Sequence, residues 1–231
     1  MENKTQSGKK SGGLNTMTKS CIICDFKGDF FYQMNPQAPI YYKCSQCACI
    51  FEDDAFFLDL KEEKSRYDMH ENDVDDVRYQ NFVAPVVSQV KKNYKPSSLG
   101  LDFGAGTGPV ITKLLQDENY HLECYDPFYH NTIKLNNENY DYIVCCEVME
   151  HFHQPLKEFK WMRSLLKPSG HFFGKTKMIS DDFTVDEFRQ FGYKNDPTHV
   201  CFYAPKTLET IKQIVGFSDV YLADDIIVFT K

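Results

Sequence analysis

The apolar positions in the second half of the chain fall into short runs that alternate with amphipathic segments. The short runs predict six strands, at residues 99–103, 121–125, 140–146, 171–175, 217–223 and 226–230. Three helices are expected to open at prolines, which favour the first helical turn: Pro109, Pro155 and Pro205. Strands that alternate with helices predict an α/β fold whose sheet is mainly parallel and whose crossovers are right-handed.

The first half of the chain has a different pattern. Residues 1–16 are polar and are expected to form a flexible tail, and residues 17–58 are rich in cysteine and aromatic residues with few helical signals. Residues 59–95 are first charged and then amphipathic, with Val77, Phe82, Val86 and Val90 near helical spacing. This pattern predicts a helical connector that precedes the α/β region of residues 96–231.

The amino-acid composition limits the classes of protein to which the chain can belong. The 231 residues are 42% hydrophobic and 26% charged, which fits a folded globular protein, and no apolar run is long enough for a membrane span. The net charge of −7 argues against a DNA-binding protein, because nucleic-acid binding relies on lysine and arginine. Nine cysteines follow an N-terminus without a secretory signal, so a reducing, cytoplasmic compartment is expected.

Four of the cysteines form two Cys-x-x-Cys pairs, Cys21 with Cys24 and Cys44 with Cys47, and 19 residues separate the pairs. This spacing predicts a tetrahedral zinc site in a small ribbon, since each pair can supply two thiolates. Metal binding would then fold a segment that is too small to fold alone. The alternatives are four unrelated buried cysteines or a redox pair.

A glycine-rich turn, Asp102-Phe-Gly104-Ala105-Gly106-Thr-Gly108, follows the strand predicted at residues 99–103. Glycines at such a turn let the backbone approach a ligand and direct amide groups towards it. The spacing differs from the dinucleotide fingerprint, because Pro109 stands where that fingerprint has its last glycine. A dehydrogenase is therefore the weaker interpretation.

This turn resembles motif I of the class I S-adenosylmethionine (SAM)-dependent methyltransferases, and the similarity extends over residues 97–231. The resemblance implies a Rossmann-like, mainly parallel seven-stranded sheet that ends in a reversed hairpin. It also implies SAM as cofactor, bound by the turn and by Asp126-Pro127 at the end of the second strand. A carboxylate such as Asp126 suits the ribose diol.

One departure from the family concerns the third strand. Only 14 residues separate Asp126 from Asp141, so this strand is expected to be vestigial, at residues 132–135, and no adenine contact is assigned. The helices that precede the domain commonly cover the SAM site in this family, which makes His70 and Tyr79 candidate contacts. The alternative is that Tyr79 is a packing residue and His70 a solvated one.

A second constellation follows the strand at residues 140–146. If a helix starts there, Glu147, Glu150 and His151 share one of its faces, and His199 is a fourth candidate. Glu-x-x-Glu-His with a later Thr-His resembles ubiquinone-biosynthesis O-methyltransferases and small-RNA 2′-O-methyltransferases. That resemblance implies a divalent cation on these four residues and catalytic roles for His151, His199 and Glu147. A metal-free histidine base and a purely structural role remain alternatives.

These observations predict a SAM-dependent methyltransferase that acts on an oxygen atom of a small molecule, with possible assistance from a divalent metal. An RNA-end methyltransferase is an alternative that the acidic balance disfavours. A non-catalytic SAM-binding scaffold or sensor is the other alternative, although such a protein has no need of polar ligands where a substrate would sit. The sequence specifies neither the acceptor nor the oligomeric state.

Overall fold

The computed structural model describes residues 17–69, 73–132 and 134–231, so the expectations for residues 1–16 and for His70 lie outside the described residues. The strands are β1 (Thr18–Ser20), β2 (Lys27–Tyr32), β3 (Tyr41–Cys44), β4 (Ile50–Glu52), β5 (Leu99–Phe103), β6 (His121–Tyr125), β7 (Tyr140–Cys146), β8 (Leu166–Lys175), β9 (Cys201–Phe202), β10 (Asp219–Ala223) and β11 (Ile226–Thr230). The helices are α1 (Leu60–Tyr67), α2 (Val77–Asn93), α3 (Val110–Gln116), α4 (Pro155–Leu165), α5 (Val185–Gln190) and α6 (Pro205–Val215).

The larger sheet has the strand order β10-β11-β8-β7-β5-β6. Strands β6, β5, β7 and β8 are mutually parallel, whereas β11 and β10 run antiparallel as a terminal hairpin. The Rossmann-like α/β architecture and its reversed hairpin are thus confirmed. This sheet contains six strands among the described residues, where seven were expected.

The missing strand is the one expected at residues 132–135. Residue 133 lies outside the described residues, and its described neighbours belong to no strand. Asp126 instead forms an isolated antiparallel bridge with His130, which folds the chain back on itself directly after β6. The short stretch that returns to β7 leaves β6 as an edge of the sheet.

Helices cover both faces of this sheet. Along β8, Phe172 packs against Phe159 of α4 with ring centroids 5.7 Å apart, while Phe173 packs on the opposite face, in one apolar cluster with Val86 of α2. Successive side chains of a strand point to opposite faces, so the apolar run of β8 packs against the helices on both faces of the sheet. None of the described helices is long and apolar enough to cross a membrane.

The cysteine-rich segment forms a second, antiparallel sheet with the order β1-β2-β3-β4-β9. Its last strand comes from far along the chain, with Ile50 opposite Phe202 and Phe51 opposite Cys201. Thr207 of α6 also donates a hydrogen bond to the carbonyl of Cys47, at 2.8 Å. The ribbon and the α/β region therefore share backbone pairing and a buried core.

Candidate functional site

The glycine turn lies between β5 and α3, and its backbone needs glycine. Gly104 and Gly106 have φ angles of +79° and +61°, and a Cβ atom at Gly104 would lie 2.4 Å from a methyl group of Val148. The amides of Gly104 and Ala105 donate to the carbonyl of Tyr125, at 2.8 and 3.2 Å. These bonds hold the turn against the end of β6, and a side chain at Gly104 would force it away from Val148.

Asp126, directly after β6, is the main side-chain support of this turn. It is 7% exposed, and one carboxylate oxygen accepts from the Gly106 amide at 3.0 Å. The other oxygen accepts from the amides of Phe128 and Tyr129, at 2.8 and 3.2 Å. A carboxylate offers about four acceptor positions, so Asp126 keeps capacity for a ligand hydroxyl while it fixes the turn.

Asp102 lies beneath the turn. It is buried, and its carboxylate accepts a hydrogen bond from the Thr112 hydroxyl at 2.8 Å. Burial raises the pKa of Asp102 to about 6. Neither Asp102 nor Gly108 lines the neighbouring cavity, so their place is in the support of the turn.

A cavity of about 830 Å³ opens beside the turn, at the carboxyl ends of the parallel strands, where open α/β sheets bind ligands. Its walls come from α1, α2 and α4, the glycine turn, and the segments after β6, after β7 and before β9. The predicted site residues on its lining are Tyr79, Gly104, Ala105, Gly106, Asp126, Pro127, Glu147, His151 and His199. The two constellations found in the sequence thus face one cavity.

His151 and His199 lie side by side in this wall, with ring centroids 4.7 Å apart. The Nδ1 atom of His151 lies 3.0 Å from the carbonyl of Thr198, and that of His199 lies 2.7 Å from the carbonyl of Tyr193. A carbonyl can only accept, so we assign the proton of each neutral ring to Nδ1 and the lone pair to Nε2. Burial, and then the neighbouring His151, lower the pKa of His199, which favours its neutral form.

Glu150 completes a cluster with the two histidines, since the ligand atoms of the three residues all lie within 4.8 Å of one another. Glu150 is fully buried, and its Oε2 atom has no hydrogen-bond partner within the described part of the chain. Burial also raises the pKa of Glu150. A buried carboxylate oxygen beside two imidazoles matches the donor set that divalent transition metals prefer.

Glu147 stands outside this group. The helix expected at Glu147 is absent, because a single 3₁₀ turn spans Met149–His151 and the α-helix begins only at Pro155. Glu147 itself has a φ of +53°. Burial, and then the charge of Glu150, raise the pKa of Glu147 to about 7.

A residue that the sequence did not suggest connects the two carboxylates. The single proton of the Tyr193 hydroxyl is shared between two acceptors, Glu147 Oε2 at 3.0 Å and Glu150 Oε1. Tyr193 is more than 40 residues from both glutamates in the sequence, so no local spacing could indicate this contact.

The four cysteines of the ribbon also converge. The Sγ atoms of Cys21 and Cys47 are 3.6 Å apart, those of Cys24 and Cys44 are 3.5 Å apart, and all four lie within 4.8 Å of one another. Cys49 is not part of this group. Its Sγ atom lies 3.6 Å from that of Cys201, across the β4–β9 pair.

Comparison with known proteins gives the family. A family model described as a methyltransferase domain matches residues 77–222, which is more than half of the chain. The chain belongs to this methyltransferase domain family. It is a class I SAM-dependent methyltransferase. A search of curated protein sequences gave no match.

Solved structures of methyltransferases share the fold. The 1,6-didemethyltoxoflavin-N1-methyltransferase of Burkholderia thailandensis, with bound 1,6-didemethyltoxoflavin and S-adenosylhomocysteine, is similar with a TM-score of 0.51 and 12% identity, over 87% of this chain and 98% of that chain. Human N-acetylserotonin methyltransferase in complex with SAM gives a TM-score of 0.50 and 15% identity, over 66% of this chain and 53% of its own. At these identities the similarity shows the fold.

The cavity of this methyltransferase is acidic. Five carboxylate side chains line it: Glu63, Asp126, Glu147, Glu158 and Asp196. No lysine or arginine lines it among the residues that the structure describes. Two hydrogen bonds join helix α1 and its C-terminal cap to residues of the cavity lining: Arg66 donates to Asp196 at 2.7 Å, and Asp68 accepts from Tyr129 at 2.7 Å.

Proposed function

We propose that this methyltransferase transfers the methyl group of SAM to a hydroxyl oxygen of a small molecule, at a site where Glu150, His151 and His199 hold a divalent cation. The observation that carries the proposal is the convergence of these three residues within 4.8 Å: His151 and His199 line the cavity that also contains the glycine turn, and the buried Glu150 completes the cluster. Methyl donor and acceptor would then meet in one enclosed space.

The residues of the cluster suit a cation. The carbonyls of Thr198 and Tyr193 fix Nδ1 of each histidine, so both rings are held with Nε2 as the basic atom. Glu150 contributes a buried carboxylate oxygen without a hydrogen-bond partner among the described residues. A divalent cation lowers the pKa of a hydroxyl bound to it and thereby supplies a nucleophile at neutral pH. The preferred acceptor would carry vicinal hydroxyls.

The donor side relies on positioning. The turn at Gly104, Ala105 and Gly106 would hold the amino-acid end and the sugar of SAM, and Asp126 would accept from the ribose hydroxyls. Pro127 and Tyr79 also line the cavity and would enclose the cofactor. Alignment of two reactants in a site can lower a barrier by ~7–11 kcal/mol, so this alignment is the main contribution of the protein.

The acidic lining favours a small, neutral or cationic acceptor over an RNA end. Five carboxylates without a lysine or arginine on the described lining would repel phosphate groups. A non-catalytic scaffold is the weaker alternative, because the polar residues of the acceptor side are present and converge.

The ribbon and the connector have supporting roles in this proposal. One zinc ion on Cys21, Cys24, Cys44 and Cys47 would stabilise the sheet that extends to β9, directly after His199. The connector of residues 59–95 would act as a lid, since Glu63 and Tyr67 of α1 and Tyr79 of α2 line the cavity.

A methyl-transfer assay with labelled SAM and matched acceptors tests the proposal. Acceptors with two vicinal hydroxyls should be methylated faster than analogues with one, and EDTA should stop turnover until a divalent ion is restored. His199→Ala should abolish turnover and leave SAM affinity unchanged, whereas His121→Ala, on the exposed start of β6, should match the wild type. Turnover that persists in EDTA yet requires His151 would instead identify a metal-free histidine base.

A further inference from the structure

The hydroxyl group of Tyr193 joins three side chains next to the proposed cation cluster. It contacts Glu147 and Glu150, and it lies 3.2 Å from the hydroxyl of Thr176. The 3₁₀ turn Gly192–Asn195 carries Tyr193, so its side chain is held by a backbone element distinct from the one that carries the glutamates.

Tyr193 also contacts His199, another member of the proposed cation cluster. Its carbonyl accepts the Nδ1 hydrogen bond of His199 at 2.7 Å, and its ring lies against the imidazole with centroids 4.1 Å apart. Tyr193 thus fixes the ring orientation and tautomer of His199, and it also fixes the orientation of the Glu150 carboxylate. It holds Oε1 of Glu150 and leaves Oε2 as the oxygen without a partner among the described atoms.

We propose that Tyr193 is the positioning residue of the cation site, which orients Glu150 and His199 as ligands and holds Glu147 outside the ligand set as a hydrogen-bond partner. The inference rests on the proposed cation site and gives the two glutamates different roles. Groups that orient metal ligands through hydrogen bonds typically change metal affinity by ~10–100-fold when they are removed.

Manganese binding to the purified 231-residue chain tests this inference, because Mn²⁺ prefers oxygen and nitrogen ligands over the thiolates of the ribbon. The loss of the free Mn²⁺ signal in electron paramagnetic resonance gives the dissociation constant. Tyr193→Phe removes only the hydroxyl group and should weaken Mn²⁺ binding about 10–100-fold. Its unfolding temperature and its affinity for S-adenosylhomocysteine should match the wild type, and Tyr221→Phe, on exposed β10, should leave all three quantities unchanged.

The possible outcomes separate the inference from the proposed function. Equal Mn²⁺ affinity in the wild type and in Tyr193→Phe would overturn the positioning of Glu150 by the Tyr193 hydroxyl, and with it the proposal, and would leave the cation site intact. A wild-type chain that binds no Mn²⁺ would overturn the cation site and, with it, this inference.

A second pair of variants tests the same inference if Tyr193→Phe does not fold. Glu150→Gln should lose Mn²⁺ binding, because it replaces a ligand oxygen that carries charge. Glu147→Gln should retain binding within about threefold, because an amide can still accept from the Tyr193 hydroxyl. Loss of Mn²⁺ binding of the same size in both variants would place Glu147 among the ligands and overturn the assignment.

Discussion

The carboxylate of Asp126 accepts a hydrogen bond from the amide of Gly106, at 3.0 Å. The residue that would bind the ribose of SAM therefore also shapes the turn that would bind its amino-acid end. Both halves of the donor site depend on one side chain. A substitution at Asp126 should therefore weaken SAM binding in two ways, by removing the ribose contact and by disturbing the glycine turn.

Asp126→Asn should weaken the binding of S-adenosylhomocysteine by ~1.5–3 kcal/mol, the scale of a hydrogen bond to a charged group. The amide group of asparagine offers one acceptor oxygen, so it cannot serve all three backbone donors as well as a ligand. Titration calorimetry measures the change. Asp117→Asn, at the exposed end of α3, is the control, and unchanged affinity in Asp126→Asn would reject the ribose assignment.

Gly104→Ala should weaken cofactor binding by about 1–3 kcal/mol, because a left-handed φ of +79° and a contact of 2.4 Å with Val148 both oppose a Cβ atom. Gly192→Ala is the matched control, since a Cβ atom there would meet nothing within 4 Å. Equal affinities for S-adenosylhomocysteine in the two variants would show that the turn tolerates a displaced backbone.

Elemental analysis of protein purified without added metal should find about one zinc per chain. Cys44→Ser should lose this zinc and several kcal/mol of stability, a fall of about 10 °C or more in the unfolding temperature for a chain of this length. Cys124→Ser lies outside the cysteine cluster and should keep its zinc. Retention of zinc by Cys44→Ser would contradict the four-cysteine site.

Glu52 should make stability depend on pH. Burial raises the pKa of Glu52 from its ordinary 4.5 to about 8, and neither of its carboxylate oxygens has a hydrogen-bond partner among the described atoms. The folded chain keeps a proton that the unfolded chain releases above pH 4.5, so the contribution of Glu52 to the free energy of unfolding falls as pH rises towards 8.

Glu52→Gln should remove this dependence of the free energy of unfolding on pH. At pH 9 it should be more stable than the wild type by on the order of 4 kcal/mol. Urea unfolding at pH 5, 7 and 9 gives the comparison. Glu118→Gln is the control, because its carboxylate forms an exposed pair with Lys91. Parallel curves for Glu52→Gln and the wild type would mean that Glu52 stays charged in the folded chain.

The elements that the sequence predicted well are those with local signals. The apolar run at residues 140–146 gives β7, and the prolines at 155 and 205 open α4 and α6, because proline at a first helical turn is a local preference. The glycine turn was also predicted from a local signal. Gly104 and Gly106 have positive φ angles, which glycine adopts most readily, so the turn is visible as glycines in the sequence.

Contacts between distant segments explain what the sequence did not predict. The segment from Glu147 to His151 has helical spacing, yet it follows β7 with a left-handed residue and a 3₁₀ turn, and the hydrogen bond from the Val200 amide to the Glu150 carbonyl holds it there. The short strand β9 is defined by its pairing with β4, and two residues carry too little pattern to predict it.

The pairing of β9 with β4 has a consequence for the order in which the chain can fold. About 150 residues separate Phe51 from Cys201, and contacts of such separation close late because a long loop must first be ordered. The cysteine pairs emerge early during synthesis and could then bind the proposed zinc, but their sheet gains its final strand only when β9 and the preceding His199 have also been synthesised. The ribbon and the part of the cavity that contains His151 and His199 should therefore reach their native structure together. A chain that ends before β9 would leave β4 as an open edge prone to aggregation.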